Sequence, residues 1–322
     1  MAVLMNNIEF KKNNDKGFQV ERNDPSLRDR IQDLLNRYYI HHERTENVFD
    51  ELLLNRREDV VVADIDSRLT IPNCHDKDLQ IFSAFNNFDD LIVDVGANWG
   101  YSVADMWAYG AKTKILSFEP VKFYAPLFER IKQLRPNRFE YRIVAIYDRP
   151  STLTFSVPVI NRLPVFALAS ATSNPDLNIM TNNMCYHIEN YMRDDLTINI
   201  RMHEFQSPVD TLDSQLESMS ASFSWKNIVA IKVDVEGLEF PVIRGAKNTL
   251  DKYRPLIMLE GGNRWPGLTE YMDSLGYIFA ERDGDKLFFQ REIGQQINGF
   301  FIHKSRIVEY INIGILERQT KL

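Results

Sequence analysis

From residue 91 onward, short apolar runs alternate with stretches of helical spacing, and this alternation most constrains the fold. LIVDVGANWG is an apolar run that ends in a glycine-containing turn, and a helical stretch follows from about Ser102 to Ala108. KILSFEP is the second run, followed by helical spacing through Leu127, Ile131 and Leu134. FEYRIVAIYD, IVAIKVDVEG and PLIMLEGG supply the third, fourth and fifth strands. Strands alternating with helices make βαβ units, and hence a parallel sheet. Runs without polar alternation suit strands covered on both faces. The expected fold is therefore α/β, a Rossmann-like, mostly parallel sheet flanked by helices. YIFAERDGDKLFFQ reads as a C-terminal hairpin turning at Asp283-Gly284.

The flanking regions lack this rhythm. Residues 1–24 are polar, and 25–58 look helical, with Pro25 near a helix start and Ile31, Leu34, Leu35, Tyr38 and Tyr39 at helical spacing. A second helical run passes through Val48, Leu52 and Leu53. The reading by position is an N-terminal helical extension over 1–90, a catalytic domain over 91–291 and a tail over 292–322. An insertion at about 150–207, with a strand at LTINIRM, breaks the alternation; so long a connection suits a lid or binding loop. The apolar tail is expected to pack on the core or on a partner subunit, which makes a homodimer one expected arrangement.

Composition closes off several classes. The 322 residues carry a net charge of −7, so no basic surface for nucleic acid is expected. Cys74 and Cys185 show no zinc spacing and suit a reducing compartment. The N-terminus has no basic segment followed by an apolar one. No apolar run approaches the ~20 residues of a membrane span. A cytoplasmic protein is expected.

The chemistry concentrates at strand ends. In Asp94-Val95-Gly96-Ala97-Asn98-Trp99-Gly100, Gly96 permits a tight turn and close approach of a ligand, and Gly100 permits close packing at the helix start. The free N–H groups there suit a polar or anionic ligand. The spacing is GxxxG, without the middle glycine that admits a dinucleotide pyrophosphate, so S-adenosylmethionine fits better than NAD. Glu119, ending the second strand, is placed to accept ribose hydroxyls. Asp148, after Ala145 in the third, either meets the adenine amino group or caps its turn. In IKVDVEG, alternation would set Lys232, Asp234 and Glu236 on one face, with Lys232 in a structural role. Glu260, with Asn263 beyond it, would share a rim with Asp234 and could hold substrate or, with it, a metal. His187, His203 and the His41-His42-Glu43 run have no metal spacing, so no metal ligand is assigned; His203 is a further candidate base.

These motifs resemble a known family. VDVGANWGYS, SFEP, VAIYD, PVDTLDS, IKVDVEGLEFPVIRGA and RPLIMLE, in this order over residues 91–261, are similar to FkbM-type methyltransferases. The resemblance implies the class I methyltransferase fold and methyl transfer from S-adenosylmethionine to a hydroxyl of a sugar or secondary metabolite. It implies that Asp94, Gly96, Asn98, Gly100 and Glu119 hold the cofactor; Ala97, Ser102, Ala145 and Asp148 are further cofactor candidates by position. Asp234, Glu236 and Gly237 match the family's acidic motif. The segment 150–201, the N-terminal helices and the tail depart from the pattern, and substrate choice is expected to lie there.

A hydroxyl acceptor must lose its proton, so a general base is expected: Asp234, with Glu236 or His203 as alternatives. A divalent metal between Asp234 and Glu260 is a further route. The rival readings are a cofactor-binding scaffold without catalysis and an NAD-dependent oxidoreductase.

Overall fold

The computed structural model describes residues 18–21, 25–37, 65–69, 74, 76–161, 163–165, 168–171, 177–191, 197–289 and 297–318. Tyr38, Tyr39, the expected second helical run and the His41-His42-Glu43 segment lie outside them. The chain forms two compact units: Met1–Glu51 with Phe155–Phe205, and Leu52–Thr154 with Gln206–Leu322.

The first unit combines segments far apart in sequence. It contains β1 (Phe18–Glu21), α1 (Leu27–Leu35), most of β6 (Ser151–Ile160), β7 (Leu163–Pro164), α4 (Leu177–Tyr191) and the first part of β8 (Thr197–Thr211). Ile31, Leu34 and Leu35 recur on one face of α1, and Met180, Met184 and Ile188 on one face of α4. Ile198, Ile200 and Met202 alternate along β8, and all nine pack into one core. Each fully buried Ile or Leu there contributes roughly 1.5–3 kcal/mol. The sheet order is β1-β8-β6-β7, with Phe18–Glu21 antiparallel to Thr197–Ile200. Within 150–207 the described residues thus form strands and a helix around a core shared with α1.

The second unit carries the alternation read from the sequence. Its strands are β2 (Leu91–Val95), β3 (Lys114–Phe118), β4 (Phe139–Arg142), β9 (Ile228–Val233), β10 (Leu256–Glu260), β11 (Tyr277–Asp283), β12 (Lys286–Phe289) and β13 (Asn298–His303). Their order is β12-β11-β13-β10-β9-β2-β3-β4. The pairs from β10 through β9, β2 and β3 to β4 are parallel; the pairs through β13, β11 and β12 are antiparallel. Among the helices are α2 (Tyr101–Ala108), α3 (Ala125–Leu134), α5 (Leu212–Met219), α6 (Glu239–Arg244), α7 (Lys247–Tyr253), α8 (Leu268–Ser274) and α9 (Ile307–Asn312). This is a mixed α/β fold with a large central sheet flanked by helices. Every residue of β2 and β9 is buried, as strands covered on both faces require.

The structure refines the sequence reading at three places. FEYRIVAIYD is not one strand: β4 joins the large sheet, whereas β5 (Ala145–Tyr147) pairs in parallel with Val209–Thr211 of β8. The tail contributes a strand to the sheet: β13 lies between β10 and β11, and its Gly299 passes so close that a Cβ would lie 2.5 Å from the Phe279 ring. The hairpin forms, but Asp283 pairs with Lys286, so Gly284-Asp285 is its two-residue loop. Gly284 takes φ +65°, the positive φ that the first position of a type II′ turn demands. No helix among the described residues is long and apolar enough to cross a membrane.

Candidate active site at the carboxyl ends of the parallel strands

Strand register builds the floor of the site. Lys232 of β9, Asp94 of β2 and Ser117 of β3 stand side by side as neighbours across the sheet. Asp94 is wholly buried, and its Oδ1 lies 3.3 Å from Lys232 Nζ. Its Oδ2 accepts from Ser102 Oγ at 2.7 Å and from Ser117 Oγ at 3.3 Å. Lys232 also reaches Asp234 Oδ2 at 3.4 Å and donates to the Gly96 carbonyl at 3.3 Å. Burial opposes the lysine's charge, but Asp234 and Asp94 outweigh it and hold the ammonium above its ordinary pKa. Asp94, Ser102 and Lys232 thus brace the loop that follows β2.

Gly96 has two reasons to be glycine. Its φ is +81°, and a Cβ would sit 1.7 Å from the carbonyl oxygen of Asp234. The Asp234 N–H in turn donates to the Val95 carbonyl at 3.1 Å. The loop after β2 and the end of β9 therefore touch backbone to backbone, a packing reason distinct from ligand approach. Gly100 starts α2 with φ +76°, with no side-chain cap on the helix. The two oxygens of Glu119 accept the N–H groups of Asn98 and Val121, each at 2.9 Å. Burial first, then Asp94, raises the Glu119 carboxyl to about 7 against the pull of those two hydrogen bonds. Ala97 is buried in the same loop, and Trp99, half-buried, packs on Tyr124 with ring centroids 5.0 Å apart.

The acidic rim lies beyond β9 and β10. The strand alternation expected through Glu236 stops at Val233; Glu236 takes φ +53°, and its side chain is exposed at the rim. Asp234, Glu236 and Glu260 each bring a carboxylate oxygen within 4.8 Å of the others. Desolvation first, then the charges of Asp234 and Glu239, raises Glu236 to about 7. Glu260 is raised further, by desolvation first and then by the charges of Asp234 and Glu236.

The other expected residues are placed as follows. Asn263 is exposed, three residues beyond the end of β10. Ala145 is buried on β5. Asp148 Oδ2 pairs with Arg244 at 2.6 Å, and its Oδ1 is buried without a hydrogen-bond partner. His203 lies on β8 in the first unit, where burial and then Arg201 lower its pKa to about 4. Glu239 was not foreseen. It is wholly buried at the start of α6, and its Oε1 accepts from Val235 N–H at 3.1 Å and Gly237 N–H at 3.3 Å. A glutamate opening a helix after a glycine turn was the only sequence signal for it. In PVDTLDS, Asp213 caps α7 by accepting from Asn248 N–H and Thr249 N–H, each at 2.8 Å.

This sheet order and this rim define the class I methyltransferase fold. The family profile described as the methyltransferase FkbM domain matches residues 94–279, and the chain belongs to that family. Among solved structures it is similar to the methyltransferase FkbM of Methylobacillus flagellatus KT, at 12% identity and TM-score 0.40, over 77% of this chain and 60% of that one. The chain therefore aligns to less than two thirds of that protein's length. It is also similar to precorrin-6y C5,15-methyltransferase of Geobacter metallireducens GS-15, at 10% identity and TM-score 0.32, over 72% of this chain and 89% of that one. A SAM-dependent O-methyltransferase of Thermotoga maritima matches at 11% identity and TM-score 0.29, over 86% of this chain and 70% of that one. No curated protein matches this chain.

S-adenosylmethionine is the cofactor that family membership implies, and the loop's chemistry suits it. Asn98 Oδ1 is buried without a hydrogen-bond partner among the described residues, an acceptor placed beside an uncapped helix start.

Proposed function

We propose that the protein transfers a methyl group from S-adenosylmethionine to a hydroxyl of a small acceptor, a sugar or secondary metabolite. One observation carries the reading: the carboxylates of Asp234, Glu236 and Glu260 converge at the strand ends whose backbone abuts the cofactor loop. The cofactor supplies an electrophilic methyl group; the protein supplies position and a route for the proton. Asn98 Oδ1 and the N–H groups opening α2 hold its polar amino-acid end. Glu119, whose oxygens each keep acceptor capacity beyond one N–H bond, receives the ribose hydroxyls. Asp148 Oδ1, buried and unpartnered, accepts from the adenine amine.

Lys232 holds Asp234 in place, and Glu260 lies within 4.8 Å of it. Glu236 is then the group best poised to take the acceptor's proton, since its pKa is raised to about 7 and its side chain is exposed at the rim.

The first test is calorimetric titration with S-adenosylhomocysteine, with NAD in parallel. Micromolar binding of the first alone supports the reading, and binding of NAD alone overturns it. Glu236→Gln is expected to keep that affinity within about threefold and to cut turnover on an identified acceptor at least 100-fold, the scale of a lost acid–base group. Turnover near the wild-type rate would remove Glu236 as the base. Cofactor binding with no turnover on any acceptor would favour the scaffold instead.

A further inference from the structure

The acidic rim is short of positive charge. Asp234, Glu236 and Glu260 meet within 4.8 Å of one another. Lys232 is the cation in ion-pair contact with them among the described residues, and its ammonium is shared with Asp94 and the Gly96 carbonyl.

A second, independent observation points to a positive ligand. Glu239 is 0% exposed, and its Oε2 is buried with no hydrogen-bond partner among the described residues. Its Oε1 is spent on the N–H groups of Val235 and Gly237, on either side of Glu236. Oε2 belongs to the same carboxylate, which those bonds hold on the loop that carries Asp234 and Glu236. Asp234, Glu236 and Glu260 are all within its electrostatic reach. A buried carboxylate oxygen with neither a donor nor a cation is costly.

We propose that Asp234, Glu236 and Glu260 bind a hard divalent cation of the magnesium or manganese class, with Glu239 behind them as an outer carboxylate. The donor set consists of oxygens alone, without His or Cys, which suits such ions and disfavours zinc. Three protein oxygens on an octahedral ion leave positions for water and for acceptor oxygens. The use of the cation to orient the acceptor hydroxyl rests on the methyltransferase reading; the binding itself does not.

The experiment is a titration of the full-length protein with MnCl2, followed by electron paramagnetic resonance, without cofactor or acceptor. One ion per chain is expected, with Glu236→Gln and Glu260→Gln each weakening it at least tenfold. Asp273→Asn, on an exposed surface carboxylate, is expected to leave binding unchanged. Circular dichroism of each variant separates lost ligation from lost fold, and Glu236→Gln, being exposed, tests ligation even where Glu260→Gln fails to fold. No bound ion, or equal affinity in wild type and both variants, overturns the proposal. Binding of S-adenosylhomocysteine by a protein that takes no Mn2+ would leave the methyltransferase reading standing and sink only the cation.

Discussion

Lys232 and Asp94 show how a buried charge is retained in a parallel sheet. They are register partners on adjacent strands, 5% and 0% exposed, and the serines of β3 and α2 satisfy the remaining oxygen of Asp94. Removing one partner strands the other, a cost of roughly 3–5 kcal/mol. Lys232→Met is therefore expected to lower the unfolding free energy by that amount, read as a fall in the urea midpoint, with the double variant Asp94→Asn/Lys232→Met destabilised by less than the sum of the singles. Additive losses would show that the pair is not coupled. Gly96→Ala is the second residue-scale test. Its Cβ meets the Asp234 carbonyl at 1.7 Å, so the loop and the end of β9 must separate. The variant is expected to lose measurable S-adenosylhomocysteine binding; wild-type affinity would show that the loop yields at no cost.

At the scale of elements, β13 and β8 carry the consequences. β13 pairs with β10 on one side and β11 on the other, so a chain ending at Phe289 would leave the inner edges of both unpaired. Such a truncation is expected to give insoluble or protease-sensitive protein; a soluble, cooperatively melting product would show that β13 is dispensable. On β8, His203 has its pKa lowered from 6.5 to about 4. The folded chain stays neutral where the unfolded one takes a proton, so this contribution to stability is complete above pH 6.5 and is lost as pH falls towards 4. His203→Gln is expected to flatten the stability slope across that window, measured by denaturant midpoints at several pH values. An unchanged slope would assign the acid sensitivity to other groups.

At the scale of the molecule, two cores are built from interleaved sequence. Ile31, Met184 and Ile200 belong to one, and Val93, Ile231 and Ile257 to the other. Separate cores are expected to open with separate free energies. Native-state hydrogen exchange should show the amides of Ile198 and Ile200 following a different opening from those of Ile92 and Ile231; one shared opening free energy would make the chain a single cooperative body.

The parallel sheet, the loop after β2 and the acids of β3, β9 and β10 were legible because they are local. Apolar runs report strands buried on both faces, glycines report special turns, and polar residues at strand ends face the rim that the fold class assigns to ligands. The sequence alone likewise determined the family, since its motifs stand in order along one stretch. What required the tertiary structure was non-local pairing. The insertion of β13 between β10 and β11, the division of FEYRIVAIYD between two sheets, and the shared core of α1 with α4 depend on partners far away in the chain. The same holds for the charges. Asp94 and Lys232 meet through register, Glu236 leaves the strand through one positive φ, and Glu239 is buried by the turn before it. Periodicity reports which face of an element is apolar; it carries no information about which element covers that face, and here that covering decides which carboxylates meet.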